Sequence, residues 1–295
     1  MGQKTGTKIS PEVLQAKKII LQELKYLSRF YPYNIKKFFD LRMLHAANIT
    51  VFLDKNAQLP DNFSYKLTNL IAGIELLATG VNLHSFNTDD FVMLAEDIKL
   101  KTGKSYNSTM RKSRSDKNYT VDLLYGDIFY SRAVIYLLEY GDYYIFDSIL
   151  ESLKSVHKNR LLLHQKLTET VNNIKNHLKL IDFETRIEEL LEENDLLILG
   201  VNSLLKTSFL TGWGFFGDTE ASFPYEIIND FLYIKAYRDL SGFFASLPAD
   251  YYFLKKIKYI GSKEDAIKTR LNKNISYVQP EWLKVNLKSL SRLYF

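Results

Sequence analysis

The sequence contains no cysteine. That excludes disulfides, thiolate nucleophiles and cysteine-based zinc sites, and it fits a reducing cytoplasm, the expected location. No stretch of about 18 uninterrupted apolar residues occurs, so no membrane span is expected. The opening segment MGQKTGTKIS is polar and lacks the apolar core of a secretion signal. Charge of one sign is also scarce. Lys and Arg number 39 against 34 Asp and Glu, for a net charge of +5 and a pI near 8.9. The cations are scattered among the acids, without an arginine-rich arm, so nucleic acid is not an expected partner. Nucleophile-elbow, P-loop and dinucleotide glycine fingerprints are absent. β-branched residues nowhere alternate with polar ones over a sustained run, and no internal repeat is evident.

Apolar residues at helical spacing are plentiful. Hydrophobic residues make up 46% and charged residues 25%, the balance of a globular chain with a sizeable core. The 20 Tyr and 19 Phe supply rings for that core or for a partner surface. Ser10-Pro11 reads as a helix start, followed by Ile20, Leu24, Leu27 and Tyr31 on one face. A second helix is expected from about Asn34 to Leu53. A third, from about Ser64 to Leu83, carries Leu67, Leu70, Ile71, Ile74, Leu77 and Val81 at helical spacing. Residues 99–120 are polar and basic and read as a loop. The segment LLYGDIFYSRAVIYLLEYGD, Leu123 to Asp142, reads as a helix with a Gly-Asp start and a Gly-Asp stop. A longer helix follows, from Asp142 to about Thr170, with the stripe Ile145, Ile149, Leu153 and Val156. Residues 181–210 continue as helix, and Pro224 to about Leu247 forms a block apolar nearly all round. The expectation is an all-α fold in one helical domain, 1–295, with N-terminal helices at 10–60, a core at about 64–250 and a basic tail at 255–295 that holds two short helical pieces.

Few residues carry chemistry on their own. Among the five histidines, His157 and His164 lie seven apart and share a face, whereas a metal pair prefers four apart with a carboxylate nearby. No metal site is therefore expected. GWGFFGD, residues 212–218, reads as a turn.

The third helix ends GIELLATGVNLHSFNTDDF. This ending resembles the first aspartate-rich motif of trans-polyprenyl diphosphate synthases, Leu-His-Asp-Asp-x-x-Asp, whose carboxylates hold the magnesium that neutralises an allylic diphosphate. Leu83 and His84 match, but Ser85 and Phe86 stand where the Asp pair belongs, and Asp89 takes the last position, with Asp90 beside it. Gly126-Asp127 and Ser131-Arg132-Ala133 are similar to a later helix of that family. Arg111 and Arg114 match loosely its diphosphate-gripping arginines, and Lys206-Thr207 its Lys-Thr. For the second aspartate-rich motif, one placement keeps only Asp230, with Asn229 and Tyr233 in the other positions, and another leaves only Asp250.

A synthase frame that lacks both carboxylate sets resembles the small, non-catalytic subunit (component 1) of two-component heptaprenyl and hexaprenyl diphosphate synthases. The run GDIFYSRAVIYLLEYGDYYIFDSILESLKSVHKNRLLLHQ looks especially like that subunit. The resemblance implies an isoprenoid-synthase-like bundle with no catalytic residue, metal or cofactor of its own. Magnesium would sit on a catalytic partner, in a heterodimer or larger assembly serving menaquinone side-chain synthesis. It places the partner interface on the Gly-Asp helix, at Ile128, Phe129, Arg132, Ile135 and Tyr136, and diphosphate contacts at Arg111, Arg114 and Lys206. Two other readings stand beside it. One is a divergent class I terpenoid synthase holding magnesium with Asp89 and Asp90. The other is a helical interaction module unrelated to isoprenoids.

Overall fold

The computed structural model describes residues 10–30, 39–40, 42–54, 62–85, 109–175, 180–216, 223–246 and 258–295. Among these residues there are eleven helices and no strand, so the chain is all-α. We number them α1 (Pro11–Leu27), α2 (Leu44–Thr50), α3 (Phe63–Ser85), α4 (Thr109–Tyr140), α5 (Tyr143–Lys175), α6 (Leu180–Glu193), α7 (Asp195–Gly200), α8 (Ser203–Phe216), α9 (Tyr225–Ser246), α10 (Lys258–Ser276) and α11 (Glu281–Tyr294). None is long and apolar enough to cross a membrane.

Local signals set several boundaries. Ser10 caps α1 by accepting the Val13 N–H, and Pro11 occupies the first turn. Gly141, at φ +83°, ends α4, and Asp142 then caps α5 by accepting the Ile145 N–H at 3.1 Å. Elsewhere the structure corrects the sequence. Within the helix expected from Asn34 to Leu53, the described residues form the seven-residue α2, entered through Met43 at φ 55°. Residues 109–120, read as loop, belong to α4, so Gly126-Asp127 lies inside a 32-residue helix rather than at its start. Residues 212–216, read as a turn, are the last turn of α8. There a Cβ on Gly212 would fall 2.3 Å from the Ile49 carbonyl oxygen, so glycine is what lets α8 cross α2 so closely.

The buried side chains form two clusters. One is built on α1, α3, α4 and the first half of α5, around Ile20, Leu70, Phe129 and Ile149. The other joins α6 to α11, around Phe209, Phe231, Leu271 and Leu287. α2, α5 and α8 contribute to both. Residues 258–295, expected as a basic tail with two short helical pieces, form helices of 19 and 14 residues instead. They are amphipathic, and Ile267, Leu271, Leu283, Leu287 and Tyr294 are core residues. Their cations lie on the opposite face, which is why the segment looks like a solvated tail in composition.

Candidate functional site

Among the described residues α3 and α4 make the most extensive helix pair, and they run antiparallel. Gly73 faces Leu137, Gly80 faces Tyr130, and His84 closes the pair against Gly126. A Cβ on Gly126 would fall 2.0 Å from the His84 ring, so this approach requires glycine. The His84 Nε2–H points at the Leu123 carbonyl, 3.2 Å away, and at Asp127 Oδ1, 3.3 Å away. Its ring stands edge-on to Tyr130 at 4.7 Å. The Tyr130 hydroxyl is 2.9 Å from His157 Nε2 on α5. Burial, then the Arg160 charge, lowers the His157 pKa, so His157 is neutral at pH 7. The two sequence stretches that carry the family resemblance best thus meet at one corner of the molecule.

Next to this corner, at the seam between the two apolar clusters, lies a cavity of about 90 Å³. Its wall comes from α2, α3, α5, α8, α9 and the residues preceding α2 and α8, and it includes Asp40, His45, Glu75, Asn82, Arg160 and Lys235. Sequence reasoning singled out none of these for chemistry.

Glu75 is almost fully buried and accepts the Ala46 N–H at 3.0 Å, and the His45 N–H also bonds to it. It thereby caps the start of α2, whose own N-cap residue, Met43, offers no side-chain hydrogen bond. Burial pushes its pKa up to about 8, so it is a neutral acid at pH 7. Burial lowers the His45 pKa to about 4. His45 Nδ1 lies 2.8 Å from Ser208 Oγ, and the Ser208 hydroxyl already donates to the Leu204 carbonyl. Asp40 is held ionised by Arg42, and Lys235 pairs with Asp239. Arg160 donates to the Val81 carbonyl at 3.4 Å, and burial pulls its pKa down while Asp239 supports its charge.

The residues expected at the site fare differently. Phe86, Asp89, Asp90 and Asp250 lie outside the described residues, as do the side chains of Ser85, Arg111, Arg114 and His164. Lys206 is half-buried on α8 and outside the cavity wall, while its neighbour Thr207 is buried against Ser152. Asp230 is 2% exposed and accepts from Arg270 Nε at 3.0 Å. It thus forms an ion pair between α9 and α10. Among the interface residues, Phe129 is fully buried, and Arg132 and Tyr136 both bond Glu23 of α1. Ile135 is 45% exposed and the Arg132 side chain 42%, while Ile128 is half-buried. The outward face of α4 is instead Leu124, Ile128, Ser131, Ile135 and Leu138, spaced four and three residues apart. The described residues hold no cluster of three or more metal-ligating side chains.

No protein-family model, no curated protein and no solved structure matches the chain significantly.

Proposed function

We propose that this chain is the non-catalytic subunit of a heteromeric long-chain polyprenyl diphosphate synthase of the heptaprenyl type, acting in the cytoplasm in isoprenoid quinone side-chain synthesis. The observation that carries the reading is the corner where His84, at the end of α3, seats on Gly126 of α4. The resemblance rests on two separate stretches, and each supplies one side of this contact. The exposed apolar face of α4 supports it further. Leu124, Ile135 and Leu138 are 57%, 45% and 47% exposed, in the register of a helix–helix seam.

In this reading the partner subunit holds magnesium, binds both diphosphates and performs the condensation. This chain stabilises that partner and helps to set product length. Asp230 is committed to Arg270, which disfavours a terpenoid synthase working alone with Asp230 in its second motif.

The test is co-expression with a catalytic polyprenyl diphosphate synthase that is inactive or short-lived alone. The expected result is a complex that survives gel filtration at micromolar concentration and elongates prenyl chains only when both subunits are present. No complex, or magnesium-dependent diphosphate release by this chain alone, overturns the assignment. The second outcome would point to Asp89 and Asp90.

A further inference from the structure

We propose that the outward face of α1 is a docking surface for an anionic phospholipid membrane, on which the chain rests without crossing it. The proposal does not depend on the synthase-subunit reading, whose partner face is on α4.

The sorting of charge around α1 carries the argument. Ala16, Ile20, Leu24 and Leu27 face the core. At about 100° per residue, both acids of the helix fall on that inner half. Both are also engaged there. Glu23 holds Arg132 and Tyr136, and Glu12 accepts from Ser64 Oγ at 2.8 Å. The opposite arc carries Leu14, Lys18, Leu21, Lys25 and Tyr26, and it continues into Arg29 just past the helix end. No acid lies on it. Lys18, Lys25 and Arg29 are exposed, and none of them enters an ion pair with a described acid. This arc therefore calls for an anionic partner.

The apolar groups on the same arc choose among such partners. Leu14 is 47% and Leu21 37% exposed, interleaved with the cations. At the helix end Tyr26 and Phe30, 61% and 67% exposed, stand edge-on with ring centroids 6.0 Å apart. Phosphate contacts to a nucleic acid leave such aliphatic groups unused. A lipid headgroup boundary uses both kinds, since cations meet phosphates there while leucines and rings reach the acyl edge. The 17 residues of α1 give a face about 25 Å long that lies flat on such a surface. The main apolar stripe of α1 is already committed to the core. Contact with lipid is therefore shallow, driven mostly by charge, reversible and weakened by salt.

Co-sedimentation of the full chain with phosphatidylcholine vesicles, with and without about 30% phosphatidylserine, tests the proposal. At about 0.05 M salt, binding is expected only to the vesicles with phosphatidylserine, and it should be lost by about 0.5 M. Each Lys or Arg near an anionic surface is worth about fivefold in affinity, so Lys18→Gln, Lys25→Gln and Arg29→Gln together should weaken binding about a hundredfold. The same loss of charge at Lys273, Lys288 and Arg292, exposed on α10 and α11, should change it less than about threefold. Leu14→Ser with Leu21→Ser should weaken it about tenfold. All these positions are exposed, and circular dichroism checks that each variant folds. If one variant fails to fold, the others and the two vesicle compositions still decide. Equal binding to phosphatidylcholine alone, or no binding to either vesicle, overturns the proposal. So does wild-type binding by the α1 glutamine variant. Wild-type binding by the leucine variant also overturns it, and marks the face as one for a soluble acidic protein.

Discussion

Gly126 and His84 form a contact in which one residue's lack of a side chain is the other's binding surface. Adding a methyl group at Gly126 forces the imidazole off the Leu123 carbonyl and out of its edge-on stack with Tyr130. Gly126→Ala should therefore destabilise the protein by about 1–3 kcal/mol, although alanine favours a helix interior over glycine. Chemical denaturation checks the value. In a His84→Ala background the same substitution should be near neutral or stabilising, because the clash is gone. Additive losses would mean that Gly126 matters for another reason.

Glu75 makes a prediction in pH. Its folded pKa, near 8, lies above the unfolded value of 4.5, so the native state holds the proton longer. Stability from this group is full below pH 4.5 and declines as pH rises to 8. His45 acts in the opposite sense. Its folded pKa near 4 lies below 6.5, so stability falls as pH drops from 6.5 to 4. The two slopes oppose each other between about 4.5 and 6.5, and Glu75 acts alone from 6.5 to 8. Over that upper window the loss is on the order of 2 kcal/mol. Glu75→Gln keeps a neutral acceptor for α2, so it should flatten the decline and raise the melting temperature at pH 8. An unchanged pH profile would show that the carboxyl titrates as it does in the unfolded chain. Glu75 was visible in the sequence as the lone acid inside the apolar run LIAGIELLATG. Its role was not, because the backbone it caps belongs to a helix 29 residues away.

Among the elements, α4 shows how far periodicity reaches. The spacing established that the segment is a helix, and the Gly-Asp stop at 141–142 was correctly read from turn chemistry. The resemblance selected a run of residues rather than a stripe, and of its five only Ile128 and Ile135 fall on the apolar outward stripe. Phe129, Arg132 and Tyr136 turn toward α1 and α3, because Glu23 and the glycine-lined face of α3 draw them in. The start of α4 was missed because residues 109–120 carry almost no apolar side chains, and helix length there does not come from amphipathicity. Two variants separate the faces of α4. Ile135→Asp with Leu138→Asp should leave the melting temperature within about 2 °C, because surface changes are worth under about 0.5 kcal/mol. The same pair should abolish co-purification with a catalytic partner. Phe129→Ala should cost about 3–5 kcal/mol through the cavity it leaves, whether or not a partner is present.

For the whole molecule, the ordering of two apolar clusters around a polar seam makes the last helix a structural keystone. Leu283, Leu287, Leu290 and Tyr294 of α11 fill the second cluster. Asn48 of α2 donates to the Tyr294 hydroxyl at 3.0 Å, Asn286 donates to the Val51 carbonyl at 3.0 Å, and Arg238 of α9 holds the Tyr294 and Phe295 carbonyls. The chain's end is therefore tied to α2, the same short helix that Glu75 caps from the other cluster. Burying each of these large side chains contributes about 1.5–3 kcal/mol, so four of them approach the whole net stability of a typical domain, about 5–15 kcal/mol. Deleting residues 281–295 should remove cooperative thermal unfolding and not merely lower the midpoint. The loss should extend to the α1–α3–α4 cluster, because α2 links the two. Hydrogen exchange of amides in α3 measures this directly. Protection of α3 equal to that of the intact chain would show that the two clusters fold independently, and that the seam between them is a boundary and not a joint.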